Sequence, residues 1–235
     1  MWSLDRRVAA SALVVAALAL AVPMAVADAP AIERPGQERN TLALELAVLA
    51  NRGVTTSWMV KYAFTRTNTA RNQLHDTIVV AHVPPTDDRP ALDIDDGLGS
   101  LVVTSGRRTY SCTVPDEKPE CLGRTTVDRT SLPGDVYGGA VVSGRYDIAA
   151  APSQRIAGLE TRCFFLRLRR GTPVPGLGFS SLQCYSIDGI PLRSRVQGST
   201  ATDERLATNV VHPIGRAQVL PLLEQYGLER LAPAR

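Results

Sequence analysis

The chain has 235 residues, 44% of them hydrophobic and 21% charged, with a formal net charge of +3 and four cysteines. Its only lysines are Lys61 and Lys118, and the arginines are scattered among acids instead of forming a stripe with aromatic residues. That pattern argues against a nucleic-acid surface and leaves a globular chain of one large domain or two small ones, of which one is favoured.

Arg6 and Arg7 precede an uncharged apolar run from Val8 to Val22, Pro23 breaks it, and Ala25-Val26-Ala27 supplies a small-x-small cleavage pattern. Residues 1–27 therefore read as a secretory signal peptide. The alternative is a retained anchor, because Val8 to Ala27 approaches the ~20 residues of a membrane helix. No cysteine lies near Ala27 for lipid attachment. The expectation is an extracytoplasmic protein of the cell envelope or medium, with peripheral or no membrane contact after cleavage. The cysteines suit that oxidising setting and allow three pairings. Cys112 with Cys121 and Cys163 with Cys184 is preferred, since each closes a short loop between strand candidates and contributes ~3 kcal/mol by chain entropy. The rival zinc site lacks a C-x-x-C pair or a histidine at ligand spacing.

Residues 28–39 are polar and proline-bearing, a flexible lead-in. From Thr41 the run LALELAVLANRG predicts a helix with Asn40 or Thr41 as cap and Gly53 as stop. Its apolar positions cover most of the circumference, so it lies against a sheet. In the next segment Trp58, Val60, Tyr62 and Phe64 alternate with Met59, Lys61, Ala63 and Thr65, the period of a strand with one buried face. Residues 76–83 form a second strand. Residues 91–114 give three short strands joined by turns at Asp96-Gly97 and Gly106, and a charged tip separates Cys112 from Cys121. Residues 122–140 are polar and glycine-rich, and periodicity places no element there.

The segment from Tyr146 to Leu192 organises the chain. It holds two strand candidates, each with one cysteine, and then Ile187-Asp188-Gly189-Ile190, where both central residues are expected at positive φ in a tight hairpin. A last strand ends at Pro213, and Val219, Leu222, Leu223 and Tyr226 mark a short amphipathic helix after Ala217. The fold class is α+β: a curved antiparallel sheet of roughly eight to ten strands forming a half barrel, with an N-terminal helix and a short C-terminal helix. The half barrel takes residues 40–213 and the C-terminal helix and tail take 214–235.

This order of elements resembles the LolA/LppX-type lipoprotein carriers. Ile156-Ala157-Gly158 and Asp188-Gly189-Ile190-Pro191-Leu192 are similar to paired turns in the RseB relatives of that fold. The resemblance implies a half-open barrel around an apolar concavity that shelters a lipid or other apolar ligand. Its RseB branch implies the alternative of an envelope sensor or interaction module that binds a membrane protein partner through the sheet edge or the C-terminal helix.

Trp58, Val60, Tyr62 and Phe64 are the groove candidates, with ordinary core packing as the competing reading. Arg167, Arg169 and Arg170 end a strand and are candidates for a phosphate or sulfate headgroup, against the plainer reading of a solvated strand end. The acids from Asp93 to Asp96 lack the order of a calcium loop, and the glycine pairs at 97 and 99 and at 176 and 178 lack the third glycine of a phosphate loop. No serine sits in a nucleophile elbow, and His75, His82 and His212 show no triad arrangement, so neither enzymatic activity, a metal nor a cofactor is expected.

Overall fold

The computed structural model describes residues 35–113, 119–125 and 132–232. The signal segment, residues 28–34 of the lead-in and the tip around Lys118 lie outside the described residues. Helix α1 (Pro35–Gly53) is followed by β1 (Trp58–Asn68), β2 (Gln73–Val83), β3 (Leu92–Gly97), β4 (Ser100–Ser105), β5 (Arg108–Thr113) and β6 (Glu120–Thr125). After α2 (Pro133–Val142) come β7 (Tyr146–Ala151), β8 (Arg155–Ile156), β9 (Leu159–Leu168), β10 (Ser180–Ser186), β11 (Pro191–Gln197), β12 (Ala201–Val211) and α3 (Arg216–Glu224). The strands make one antiparallel sheet in the order β6-β5-β4-β3-β2-β1-β12-β11-β10-β9-β7, with β8 paired to β9. Its two ends do not pair with each other, so the curved sheet stays open as a half barrel.

The register divides the sheet into two faces. Trp58, Val60, Tyr62 and Phe64 share the inner face with Gln183 and Phe164, through the pairings Phe64↔Arg205, Arg205↔Ser194, Ser194↔Gln183 and Gln183↔Phe164. Helices α1 and α2 cover that face at β7, β9 and β10, where Leu42, Leu46 and Leu49 pack with Val141, Tyr146, Phe164 and Leu166. Helix α3 covers the opposite, outer face at β2 to β5, packing Val219, Leu223 and Ile214 on Ala81, Leu92, Ile94, Leu101 and Val103. The sheet is thus covered on different faces at its two ends.

Helix α1 begins at Pro35, five residues before the Asn40 cap expected from the sequence. Proline is compatible with a first helical turn. Thr41 donates to Gln37 O at 3.0 Å, so it sits inside the helix and does not cap it. The alanine-rich face packs on α2, whose GDVYGGAVV sequence gives almost no helical periodicity. A Cβ on Gly134 would lie 2.1 Å from Ala47 O, and one on Gly138 would lie 3.1 Å from Ala47 Cβ. The glycines that hide this helix in the sequence are what let it reach α1. Asn51 completes the joint, accepting from Gly134 N and donating to Asp135, both at 2.8 Å.

Two turns differ from expectation. The β3–β4 connection is Leu98-Gly99, with φ of 56° and 70°, two residues beyond Asp96-Gly97. Gly97 stays extended against Ile78, where a Cβ would lie 2.1 Å from Ile78 Cγ2. Between β10 and β11, Gly189 N donates to Ser186 O at 3.0 Å and Ser186 N donates to Ile190 O at 2.9 Å. Gly189 has φ of 80°, whereas Asp188 is not at positive φ. The connection is therefore a three-residue loop with a left-handed last residue, not a two-residue hairpin. The Ala157-Gly158 step between β8 and β9 does put both residues at positive φ, 48° and 83°.

Candidate functional site

Both preferred disulfides form. Cys112 bonds Cys121 across β5 and β6, and Cys163 bonds Cys184 across β9 and β10. The second bond is buried on the outer face, where Gln154 approaches both sulfurs within 3.7 Å. It holds together the strands that carry Phe164, Gln183 and Tyr185 into the interior.

On the inner face, between the ends of α1 and α2 and the strands, lies a groove of about 550 Å³. Its apolar wall is Trp58, Tyr62, Val80, Tyr137 and Tyr185, and its polar side is Gln183, Ser194, Arg205, Asp203, His82 and Asp93. The volume lies inside the range of ~300 to 1,000 Å³ usual for small-molecule sites.

The wall is held by bonds to backbone carbonyls. Trp58 Nε1 donates to Gly53 O at 2.9 Å, and His82 Nε2 lies 2.9 Å from Val54 O. Both rings thus serve carbonyls at the end of α1 that lack helical partners. His82 Nδ1 lies 2.6 Å from Asp93 Oδ1, which ties β2 to β3 beneath the groove. Tyr62 Oη donates to Pro191 O at 2.6 Å, and Gln183 Nε2 donates to Gly176 O at 3.1 Å. Burial first, with the carboxylate of Asp95 adding, pushes the Tyr62 hydroxyl well above the ordinary tyrosine range, against the opposing pull of Arg205.

Tyr185 is different. It is 6% exposed and lines the groove, and its hydroxyl makes no hydrogen bond to another described residue. Burial, then the neighbouring Tyr137 and Tyr62, drives its ionisation far above the usual range. The ring is buried while the hydroxyl opens on the groove, where it can meet a ligand or water. The charged groups nearby are already matched, Arg205 to Asp95 at 3.2 Å and Arg66 to Asp203 through two bonds of 2.7 Å.

Of the four residues expected to line a groove, Trp58 and Tyr62 do so. Val60 and Phe64 share their face but are 0% and 3% exposed and are not among the groove's lining residues. The three arginines are not brought together there. Arg167 borders a separate outer-face depression with Phe165 and Phe179. Arg169 lies 3.8 Å from Asp147, and Arg170 donates to Ser143 O at the end of α2 at 2.7 Å. The histidines are also apart: His75 bonds Thr65 and Gln73, and His212 bonds Ser57 O.

No protein-family model and no curated protein sequence matches the chain. Among solved structures, the crystal structure of MucB superposes with a TM-score of 0.50 at 14% identity, over 75% of this chain and 60% of MucB. This chain has the LolA/RseB-like fold. The MucA/MucB complex of Pseudomonas aeruginosa matches with a TM-score of 0.48 at 15% identity, over 75% of this chain and 58% of that one. LprF of Mycobacterium bovis matches with a TM-score of 0.34 at 13% identity, over 75% and 94%. At these identities the likeness concerns the fold alone, and the chain spans 60% of the length of the MucB chain it matches.

Within this half barrel, Tyr137, Tyr185, His82 and Arg205 are groove residues that sequence reasoning did not select. Tyr137 sits on the unforeseen helix, and the others belong to strands whose adjacency follows only from the register.

Proposed function

We propose that this is an exported, non-enzymatic binding protein that shelters an amphiphilic ligand in the inner groove. The apolar part of the ligand lies along Trp58, Tyr62, Val80 and Tyr137, and its polar part hydrogen-bonds the Tyr185 hydroxyl. The observation that carries the reading is the groove of about 550 Å³ itself, walled by Trp58, Tyr62, Val80 and Tyr137 and with the Tyr185 hydroxyl opening on it without a hydrogen bond to a described residue. A ligand acceptor there would satisfy it, and each methylene buried along the aromatic wall would contribute ~0.8 kcal/mol. Export is supported by both cysteine pairs being bonded, as an oxidising compartment favours.

The partner-binding alternative draws less support from the C-terminal helix. Val219 and Leu223 are buried against the outer face, so the apolar side of α3 is committed to the protein's own core.

The test is mass spectrometry of organic extracts from the purified protein, followed by titration of the delipidated protein with a fluorescent fatty acid. Tyr137→Ala and Val80→Ser alter the wall at partly exposed positions. An extracted amphiphile, and probe binding weakened about tenfold or more by either change, supports the reading. An empty extract together with no probe binding overturns it.

A further inference from the structure

The outer face at β9 and β10 carries a second feature. Phe165 and Phe179 are 44% and 43% exposed and line one depression of about 420 Å³ with Arg167. The depression continues through Phe165, Ser180 and Gln197 into another of about 720 Å³, bordered by Leu182, Pro152 and Arg195. The chain has four phenylalanines. Two, Phe64 and Phe164, are buried in the core, and the other two sit together on this surface. Helix α3 covers the outer face only at the far end of the sheet, and α1 and α2 lie on the inner face.

The charge around the patch is net positive, with Arg167, Arg169, Arg193 and Arg195 against Asp147 and Glu204, which stand directly across the sheet from Arg167 and Arg195. Asp147 is engaged by Arg169 at 3.8 Å and Glu204 by Arg193 at 2.6 Å. Among the described residues, the ion pairs of these two acids go to Arg169 and Arg193 and not to Arg167 or Arg195. Two guanidinium groups that make no ion pair with another described residue therefore flank two half-exposed aromatic rings, in a patch with more arginines than acids. A second copy docking face to face would set like charges against each other. A layer of phosphate headgroups over hydrocarbon matches both halves of the surface, because guanidinium binds phosphate oxygens and phenylalanine partitions below them.

We propose that the Phe165–Phe179 face docks on an anionic lipid bilayer, with Arg167 and Arg195 holding phosphate headgroups. This contact does not depend on what the inner groove binds. Each arginine is expected to contribute about fivefold to association at moderate salt, fading as ionic strength screens it.

The experiment is flotation of the purified protein, its N-terminus established by mass spectrometry, with vesicles of phosphatidylglycerol and phosphatidylcholine at 1:1 or of phosphatidylcholine alone. The expected result is selective flotation with the anionic vesicles, reduced roughly 25-fold in the double variant Arg167→Gln/Arg195→Gln and at least as much in Phe165→Ser/Phe179→Ser. Circular dichroism checks the fold, and if the phenylalanine variant does not fold, the arginine variant decides. Tyr137→Ala is expected to float like the parent. Flotation unaffected by both double variants, equal flotation with both vesicle types, or no flotation of the parent overturns the proposal. A dimer seen by light scattering that the phenylalanine change dissolves, without vesicle binding by the parent, assigns the patch to a second copy and likewise overturns it.

Discussion

Gly53 and Gly189 meet backbone to backbone. A Cβ on Gly53 would lie 2.4 Å from Gly189 O, and a Cβ on Gly189 would lie 2.4 Å from Gly53 N and 2.3 Å from Leu49 O. The end of α1 is thereby seated on the loop between β10 and β11, and Arg52 reinforces the joint by donating to Ile187 O at 2.5 Å. This contact fixes one wall of the groove, since Trp58 and His82 both bond carbonyls at the same helix end.

Gly189→Ala should therefore destabilise strongly. It adds a methyl against backbone that cannot swing away, at a residue with φ of 80°. Overpacking and the left-handed conformation together cost about 2 to 4 kcal/mol. Gly53→Ala, with ordinary φ, should carry only the overpacking share of about 1 to 3 kcal/mol. Urea unfolding of both variants measures the order, and a Gly189→Ala protein as stable as the parent would refute the contact.

Helix α2 offers a sharper contrast within one element. Gly134→Ala would drive its methyl to 2.1 Å from Ala47 O, whereas nothing lies within 4 Å of a Cβ at the exposed Gly139. The first change should destabilise by about 1 to 3 kcal/mol. The second should stabilise by about 0.5 to 1 kcal/mol, because alanine restricts the unfolded chain and favours helix. Thermal unfolding of the two variants should move in opposite directions from the parent.

These same glycines explain what was legible in the sequence. The alternation from Trp58 to Phe64 gives β1 and its buried face directly, and the four cysteines give the two strand pairs they join. Helix α2 was hidden because close packing demanded residues that propensity counts against a helix. Strand β6 is nearly all exposed and β8 has two residues, so neither shows a periodic pattern. The groove was half legible. Trp58 and Tyr62 were found by their period, but the aromatic row does not say which members abut empty space. That depends on tertiary packing, in which Val60 and Phe64 are buried in one cluster with Ile78, Ile190 and Leu192, while Trp58 and Tyr62 also border the groove beside the ends of α1 and α2.

The two disulfides should contribute differently. By chain entropy each is worth ~3 kcal/mol, since the loops they close are short and similar. Cys163 and Cys184 are both fully buried, whereas Cys121 is partly exposed at the edge strand β6. Replacing Cys163 and Cys184 by alanine therefore adds a packing loss to the entropic one. That variant should unfold at clearly lower urea than the Cys112→Ala/Cys121→Ala variant, and equal midpoints would contradict the buried placement.

Alkaline pH should unfold the protein through its buried tyrosines. Burial raises the folded-state ionisation of Tyr62 and Tyr185 above the unfolded value of ~10. The stability they contribute is fully present below pH ~10. Above it the unfolded hydroxyls ionise while the folded ones keep their protons, so stability falls as pH rises toward the folded-state values, by about 1.4 kcal/mol per pH unit for each residue. Urea midpoints between pH 9 and 11 should decline accordingly. Tyr185→Phe should remove about half of that tyrosine-linked slope, and an unchanged slope would mean that Tyr185 is not buried in solution.

The same substitution separates stability from binding. At pH 7 Tyr185→Phe deletes a hydroxyl that opens on the groove and makes no hydrogen bond to a described residue, so little is lost from the fold. Stability should stay within about 0.5 kcal/mol of the parent or rise. Affinity for a groove ligand should fall about 3- to 10-fold, the worth of one hydrogen bond to a ligand acceptor. By contrast, Tyr62→Phe removes a hydroxyl that donates to Pro191 O at 2.6 Å and should destabilise by about 1 kcal/mol. Urea unfolding and fluorescent fatty-acid titration of both variants give the comparison. If Tyr185→Phe binds the probe as tightly as the parent, the hydroxyl is not a ligand contact and the polar anchor must be sought among Ser194, Gln183 and Arg205 instead.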